Sequence, residues 1–242
     1  MSQSSSLDAF ASEIGPIHHT EYGRYITLRS IPGTTDLAET GHPLSPHTDV
    51  SVHMHIAPLL QFMFCLEHEA EGGDSILVDG FKVAEDFRAH HPENFARLVN
   101  TPVSFQQFYT NFRYFLKRTG SVIEVDASGR VDGVFFAHSH ACNWSLPPDE
   151  MEPFYDAYYA FFRYLKNPAY QLRTRLRAGQ CVALRNGRML HGRTGFDANS
   201  GPRAIIDEFV AWEHFEARIR FHENKHLYSR SPEAALQGAA AM

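Results

Sequence analysis

The sequence predicts a mainly β domain with helical insertions, an antiparallel sandwich or jelly roll. Three observations carry that prediction. Short apolar or alternating runs rich in β-formers outnumber helical ones. Several are bounded by turn dipeptides. The helical stretches do not alternate regularly with strands, as βαβ units would require.

In chain order, YITLRSI (25–31) alternates and reads as a strand. LLQFMFCLEH (59–68) is a mostly apolar run suited to a buried strand. SILVDGF (75–81) is a strand ending at a Gly turn. FKVAEDFRAHHPENFARLVN (81–100) reads as a helix broken near Pro92, because proline disrupts a helix interior. VSFQQFYTNFRYFL (103–116) is strand-like, with an aromatic stripe (Tyr109, Phe112, Tyr114, Phe115) read as core packing. SVIEVDASGRVDGVFF (121–136) predicts a hairpin turning at DASGR. PPDEMEPFYDAYYAFFRYLKNP (147–168) opens with prolines and acids and closes at Asn167-Pro168, a helix with its Phe154, Tyr158, Phe161 and Phe162 face packed inward. QCVALRNGRMLHGRTGF (180–196) holds an Asn-Gly dipeptide between apolar runs and predicts another hairpin. RAIIDEFVAW (203–212) is a last strand. A single domain over 1–242 is expected, with residues 1–8 and 231–242 as flexible tails.

Composition bounds the function. Of 242 residues, 43 % are hydrophobic and 21 % charged, as in a soluble globular protein. The formal net charge of −6 offers no basic face for nucleic acid. No apolar run approaches the ~20 residues that span a bilayer. The N-terminus MSQSSSLDAF lacks a charged and an apolar segment of the secretory kind. Three scattered cysteines (Cys65, Cys142, Cys181) suit reduced thiols used in packing, and with them a cytoplasmic location.

Fifteen histidines justify a search for ligand spacing. His47 and Asp49, in LSPHTDVSV, lie two apart and on a strand would share a face. His191, in NGRMLHGRTGF, sits where the end of a jelly-roll sheet can meet them. Two imidazoles and one carboxylate suit a facial triad on iron(II), with three positions left open for a co-substrate and oxygen. Competing sets are His53 with His55 and His138 with His140, HxH pairs of the kind that bind zinc or a cupin-type metal.

HTD, GGDS with DGF after it, PFYDAYYAFF and LHGR, in that order over about residues 14–220, resemble iron(II)/2-oxoglutarate oxygenases of the taurine dioxygenase type. The resemblance is to the γ-butyrobetaine and trimethyllysine hydroxylase subgroup. It implies a double-stranded β-helix, iron(II) held by His47, Asp49 and His191, and 2-oxoglutarate and O2 as co-substrates. It implies succinate and CO2 as products, and hydroxylation or desaturation of a small molecule. The arginine that grips the far carboxylate of 2-oxoglutarate falls on Arg203, about a dozen residues after His191, since a planar guanidinium matches a carboxylate. A hydroxyl donor falls on Ser75. Arg193 reads as an orienting residue. Relatives of this kind commonly pair, so a homodimer is plausible.

The substrate side departs from the resemblance. Of the aromatic cage that holds a trimethylammonium head by cation–π attraction, Tyr22 and Phe209 match, whereas Ile26 and Glu39 do not. An asparagine of the family becomes Asp36. A later motif reads FFAHSHA, with Ala137, His138 and Ala141, and His138, His140, Asn143 and Trp144 are candidates for lining the pocket. The arginine that grips a sulfonate in taurine dioxygenase-like members, four residues after the co-substrate arginine, becomes Asp207. Asp36, Glu39 and Asp207 together favour an amine- or quaternary-ammonium-bearing substrate, because opposite charge is attracted in a low-dielectric pocket. Two other readings stay open: a catalytically silent jelly-roll binding protein, and a zinc or cupin-like hydrolase built on the HxH pairs.

Overall fold

A computed structural model describes residues 3–31, 34, 37–53, 59–109, 113–142 and 144–227. Its helices are α1 (Gln3–Ile14), α2 (Gly80–His90), α3 (Pro92–Asn100), α4 (Pro148–Lys166) and α5 (Trp212–Asn224). Its strands are β1 (Ile26–Arg29), β2 (Leu44–His47), β3 (Leu59–His68), β4 (Ser75–Asp79), β5 (Val103–Tyr109), β6 (Tyr114–Gly120), β7 (Ile123–Val125), β8 (Val131–Val134), β9 (Gln171–Thr174), β10 (Cys181–Asn186), β11 (Met189–Arg193) and β12 (Arg203–Ala211).

Two four-stranded antiparallel sheets form the frame, in the orders β1-β12-β3-β10 and β2-β11-β4-β9. Strands β5–β6 and β7–β8 are separate antiparallel hairpins. The period of two along each strand sorts side chains into layers. On one face of the first sheet, Met63, Cys65, Leu184 and Ile205 meet Leu77 of the second sheet and Leu176. Leu60, Phe62, Ile206 and Val210, on the opposite face, pack against Leu7 and Ala11 of α1. The far face of the second sheet, Ile76, Val78 and Leu190, joins α2, α3, α4 and the β7–β8 hairpin in the largest core. Each large aliphatic or aromatic side chain sealed there contributes roughly 1.5–3 kcal/mol. Pro46 interrupts β2 without harm, because β2 is an edge strand and need not donate there.

Several expectations hold. The run 59–68 is β3, 75–79 is β4, and residues 203–211 are β12. The long helical stretch breaks between α2 and α3, with Pro92 opening α3. The stripe on α4 is a packing face, with Phe154, Tyr158 and Phe161 buried. Among the described residues no helix is long and apolar enough to cross a membrane.

Four expectations are corrected. Residues 3–8, expected in a frayed tail, belong to α1, because Leu7 (3 % exposed) and Ala11 dock on the first sheet. The Asn186-Gly187 turn does not close a hairpin. It delivers β10 to β3 and β11 to β2 and β4, so the chain changes sheet at this point. The Gly187 and Arg188 backbone groups bond instead to Val134 and Gly80. Asp49 is not on a strand, since β2 ends at His47 and Asp49 lies in the turn beyond. The aromatic stripe of 109–115 is not core: Tyr114 and Phe115 are half or more exposed, because the β5–β6 hairpin packs into the core at its Val103–Phe105 end and they lie at its other end, and Phe112 lies outside the described residues.

Candidate metal centre

The centre is assembled where β2, β11 and the turn after β2 meet. His191 on β11 is the register partner of His47 on β2, and their ring centroids lie 4.5 Å apart. Gly192 permits the approach, because a Cβ there would strike the Leu44 carbonyl oxygen and lie 3.0 Å from the Ser45 carbonyl carbon. His47 Nδ1 donates to the Ser45 carbonyl at 2.9 Å. That bond assigns the proton to Nδ1 and leaves the Nε2 lone pair free to bind a metal.

Asp49 reaches the same point from the turn. Its neighbour Thr48 is fully buried, and its backbone N–H donates to the Phe136 carbonyl (2.8 Å) while its hydroxyl donates to Val134 (2.7 Å). Val50, just beyond, takes φ 50°, a conformation costly for a β-branched residue and typical of functional turns. Asp49 Oδ1 lies 3.3 Å from His47 Nε2, and Oδ2 3.3 Å from His191 Nε2. One donor atom from each of the three residues lies within 4.8 Å of the others. This is the sole such group of three among the described residues. Side-chain exposure is 21 % for His47 and 26 % for Asp49 but 6 % for His191, so the cluster is open on one side only.

Burial works against the ionised Asp49, yet the charge and hydrogen bonds of His191 and His47 prevail and hold its carboxyl well below the usual carboxylate range. For His47, burial likewise disfavours the charged ring, but bonding to Asp49 outweighs it and raises the ring's pKa. The donors are therefore a carboxylate and two imidazoles whose Nε2 atoms face it. Two nitrogens and one anionic oxygen with an open side fit a divalent transition metal, and iron(II) in particular.

Two residues that position Asp49 escape sequence reasoning. Asn186 (2 % exposed) clamps its peptide from both ends: Oδ1 accepts from the Asp49 N–H at 3.2 Å, and Nδ2 donates to the Asp49 carbonyl at 2.9 Å. In sequence it reads only as the first half of an Asn-Gly turn. Gln61 is fully buried on β3, and its Nε2 donates to Asp49 Oδ2 at 2.7 Å and to Asp207 Oδ2 at 3.5 Å. A glutamine inside the apolar run LLQFMF was the available signal, because a buried amide needs partners.

Arg203, Asp207 and Phe209 alternate along β12 on the face of Ile205, toward the second sheet. Arg203 is 7 % exposed, with its guanidinium 5.4 Å above the Phe196 ring, and its Nε has no partner among the described residues. Gly73, at φ 76°, makes room for it, because a Cβ there would lie 3.1 Å from Arg203 Nε. Burial lowers its pKa without discharging it. Asp207 is 2 % exposed, and burial and then the charge of Asp49 push its carboxyl well above the usual range. Ser75, 5 % exposed at the head of β4, shares a sheet face with Leu77, the register partner of His191. Arg193 donates to the carbonyls of Leu37, Ala38, Thr40 and His42, tying that segment to β11.

The remaining candidates are dispersed. Tyr22 is half-buried and meets Tyr109 edge-on at 5.5 Å. Glu39 accepts from the Thr34 hydroxyl at 2.9 Å. His138 is exposed and stacks on Phe162 of α4 at 5.0 Å, so its contacts are with that helix. Trp144 is buried in the main core, donating to the Ser104 carbonyl, and is not a pocket wall. In the HxH pairs, His53 bonds Glu21 at 3.0 Å and His140 lies 3.4 Å from the Ser51 hydroxyl, so neither joins a cluster of three ligands among the described residues. Asp36, His55 and Asn143 lie outside the described residues.

Two antiparallel sheets with a two-histidine, one-carboxylate cluster at their junction define a candidate metal-dependent protein. Residues 2–206 match the model of the taurine catabolism dioxygenase TauD, TfdA family, and the chain belongs to that family. It is 32 % identical over 214 residues to γ-butyrobetaine dioxygenase of Pseudomonas sp. strain AK-1, covering 88 % of this chain and 55 % of that protein. It is 30 % identical over 209 residues to trimethyllysine dioxygenase of Meyerozyma guilliermondii, covering 84 % and 51 %. The chain thus spans about half the length of the curated relatives it matches. An asparagine oxygenase solved with Fe(II), 3-hydroxyasparagine and succinate shares the fold, at TM-score 0.64 and 14 % identity over 86 % of this chain and 64 % of that one.

Proposed function

We propose that the chain is an iron(II)- and 2-oxoglutarate-dependent oxygenase that oxidises a small amine- or quaternary-ammonium-bearing metabolite. The observation that carries this reading is the convergence of His47, Asp49 and His191 on one open-sided point. The family, with relatives named γ-butyrobetaine and trimethyllysine dioxygenase, supports it. On this reading the two sheets are the halves of a double-stranded β-helix. Iron(II) held there would activate O2, the oxidant, which takes two electrons from 2-oxoglutarate, released as succinate and CO2, and two from the substrate, which is hydroxylated or desaturated.

The residues divide the remaining work. His47 and His191 would present Nε2 lone pairs to the metal, and Asp49 one negative charge toward a divalent ion. Gln61 and Asn186 fix the carboxylate before the metal arrives, so little reorganisation is needed on binding. Arg203, buried and without a partner on Nε among the described residues, is poised for the far carboxylate of 2-oxoglutarate, with Ser75 as a second donor. Asp207, with Tyr22, Phe209 and Glu39 as further candidates, supplies the acidic and aromatic side on which a cationic head group rests.

Anaerobic loading with iron(II), then addition of 2-oxoglutarate, O2 and a panel of amines and betaines, should give iron-dependent succinate. Asp49→Ala and His191→Ala should give none. Succinate release by His191→Ala at the wild-type rate would overturn the assignment.

A further inference from the structure

We infer that the protein binds a hydrogen-bond-donating cation, a primary or secondary ammonium or a guanidinium group, through two paired acceptors, Gln61 Oε1 and Asp207 Oδ1. The inference rests on the oxygenase reading and narrows its substrate class to amines that keep an N–H.

The amide of Gln61 has two N–H bonds, and Nε2 directs them to Asp49 Oδ2 (2.7 Å) and Asp207 Oδ2 (3.5 Å). Its donors are thereby spent. What remains is Gln61 Oε1 and the second oxygen of Asp207, both buried and both without a partner among the described residues. Burial and the charge of Asp49 favour the protonated carboxyl of Asp207 in the metal-free protein; once it is ionised both atoms only accept, and neither can satisfy the other. The strand neighbours offer nothing: Gln61 pairs in register with Leu184 and Phe209, and Asp207 with Met63 and Ile26. None of these four carries a polar hydrogen on its side chain. A buried acceptor left without a donor is costly, and two beside a carboxylate are more so.

The partner that would keep Asp207 ionised is a donor, and a positively charged one. A metal with His47 and His191 accounts for the charge of Asp49, which leaves the Asp207 carboxylate to be met by the ligand. An alkylammonium or guanidinium ion brings charge and N–H together in a charge-assisted bond. A quaternary ammonium brings charge but no N–H, and would leave both oxygens stranded. The relatives' names include a betaine and a trimethylated lysine; this chain's paired acceptors favour less methylated relatives of such molecules.

The test is titration of the wild-type chain with methylammonium, guanidinium and tetramethylammonium, read by ligand-observed NMR on the metal-free protein. The same titration on the chain loaded anaerobically with iron(II) and 2-oxoglutarate is read by its visible charge-transfer absorption. One of the two N–H ions should bind at least about tenfold tighter than tetramethylammonium, the scale of one charge-assisted hydrogen bond. Asp207→Asn, folded by circular dichroism, should lose that preference. Equal or tighter binding of tetramethylammonium, no binding of either N–H ion, or a preference that survives in Asp207→Asn would each overturn the inference. The wild-type comparison decides alone if the variant does not fold. Absence of the charge-transfer absorption counts against the oxygenase reading, while the NMR titration still decides the cation site.

Discussion

Asn186→Ala separates metal positioning from metal ligation. The side chain makes two hydrogen bonds to the Asp49 peptide, at 3.2 and 2.9 Å, and none to a candidate ligand atom. Removing it strands one backbone N–H and one carbonyl at a half-buried turn. At about 1 kcal/mol net per bond, the loss is about 2 kcal/mol. For a chain of this size that corresponds to a fall of roughly 4–8 °C in Tm. The turn already carries the positive φ of Val50, so its freed peptide has an easier conformation to relax into. The carboxylate should then lose its set position, and metal affinity should fall roughly 10- to 100-fold, as for other residues that orient a ligand. The assay is an anaerobic titration with cobalt(II), an air-stable stand-in for iron(II), beside thermal melts of the metal-free protein. A purely structural role would lower Tm and leave the cobalt(II) affinity of the folded fraction unchanged. That result, or a wild-type melt, would refute the reasoning.

Other perturbations have equally definite outcomes. Gly192→Ala drives a methyl into the Leu44 carbonyl and should part β2 from β11, so cobalt(II) affinity falls even if the fold survives by circular dichroism. Arg203→Ala should raise the KM for 2-oxoglutarate about 10- to 100-fold, the worth of one or two charge-assisted bonds, with a smaller change in kcat; an unchanged KM would remove Arg203 from the site. Glu208 is buried against α1, and burial, followed by the charge of Asp8, raises its carboxyl to about 7. Its folded-state pKa lies above the unfolded value, so its contribution to stability is complete below about pH 4.5 and is lost as pH rises to about 7. Glu208→Gln should flatten the fall in Tm between pH 5 and 8, worth about 1–3 kcal/mol; an unaltered slope would show that Glu208 does not titrate there.

Much of this molecule is legible in its sequence where one force acts alone. The apolar run 59–68 had one way to hide, and it is β3 to the residue. Pro92 cannot continue a helix, and the helix stops before it. HTD and LHGR carry their ligands to one point even though the expected reason was incomplete. His47 and Asp49 were expected to share a strand face, but Asp49 turns inward between Val50, at positive φ, and Thr48, whose partners Val134 and Phe136 lie more than 80 residues away. Local pattern cannot see such bonds. The same limit hid the sheet change at Asn186-Gly187, since a tight turn looks alike whether its two strands pair or part. Exposed Tyr114 and Phe115 failed the rule that aromatics pack inward, because they sit at the end of their hairpin away from Val103 and Phe105, which reach the core.

The change of sheet at Asn186-Gly187 has a thermodynamic corollary. The candidate ligands His47 and His191 belong to one sheet, while Gln61 and Asn186, which steady Asp49, belong to the other. A metal-competent centre therefore exists only when the two sheets are docked. Any ion bound there stabilises their association by mass action, by about 2.7 kcal/mol at a hundredfold excess over its dissociation constant. Backbone amides of β3 and β10 should accordingly exchange more slowly with deuterium once metal is added, although neither strand supplies a ligand.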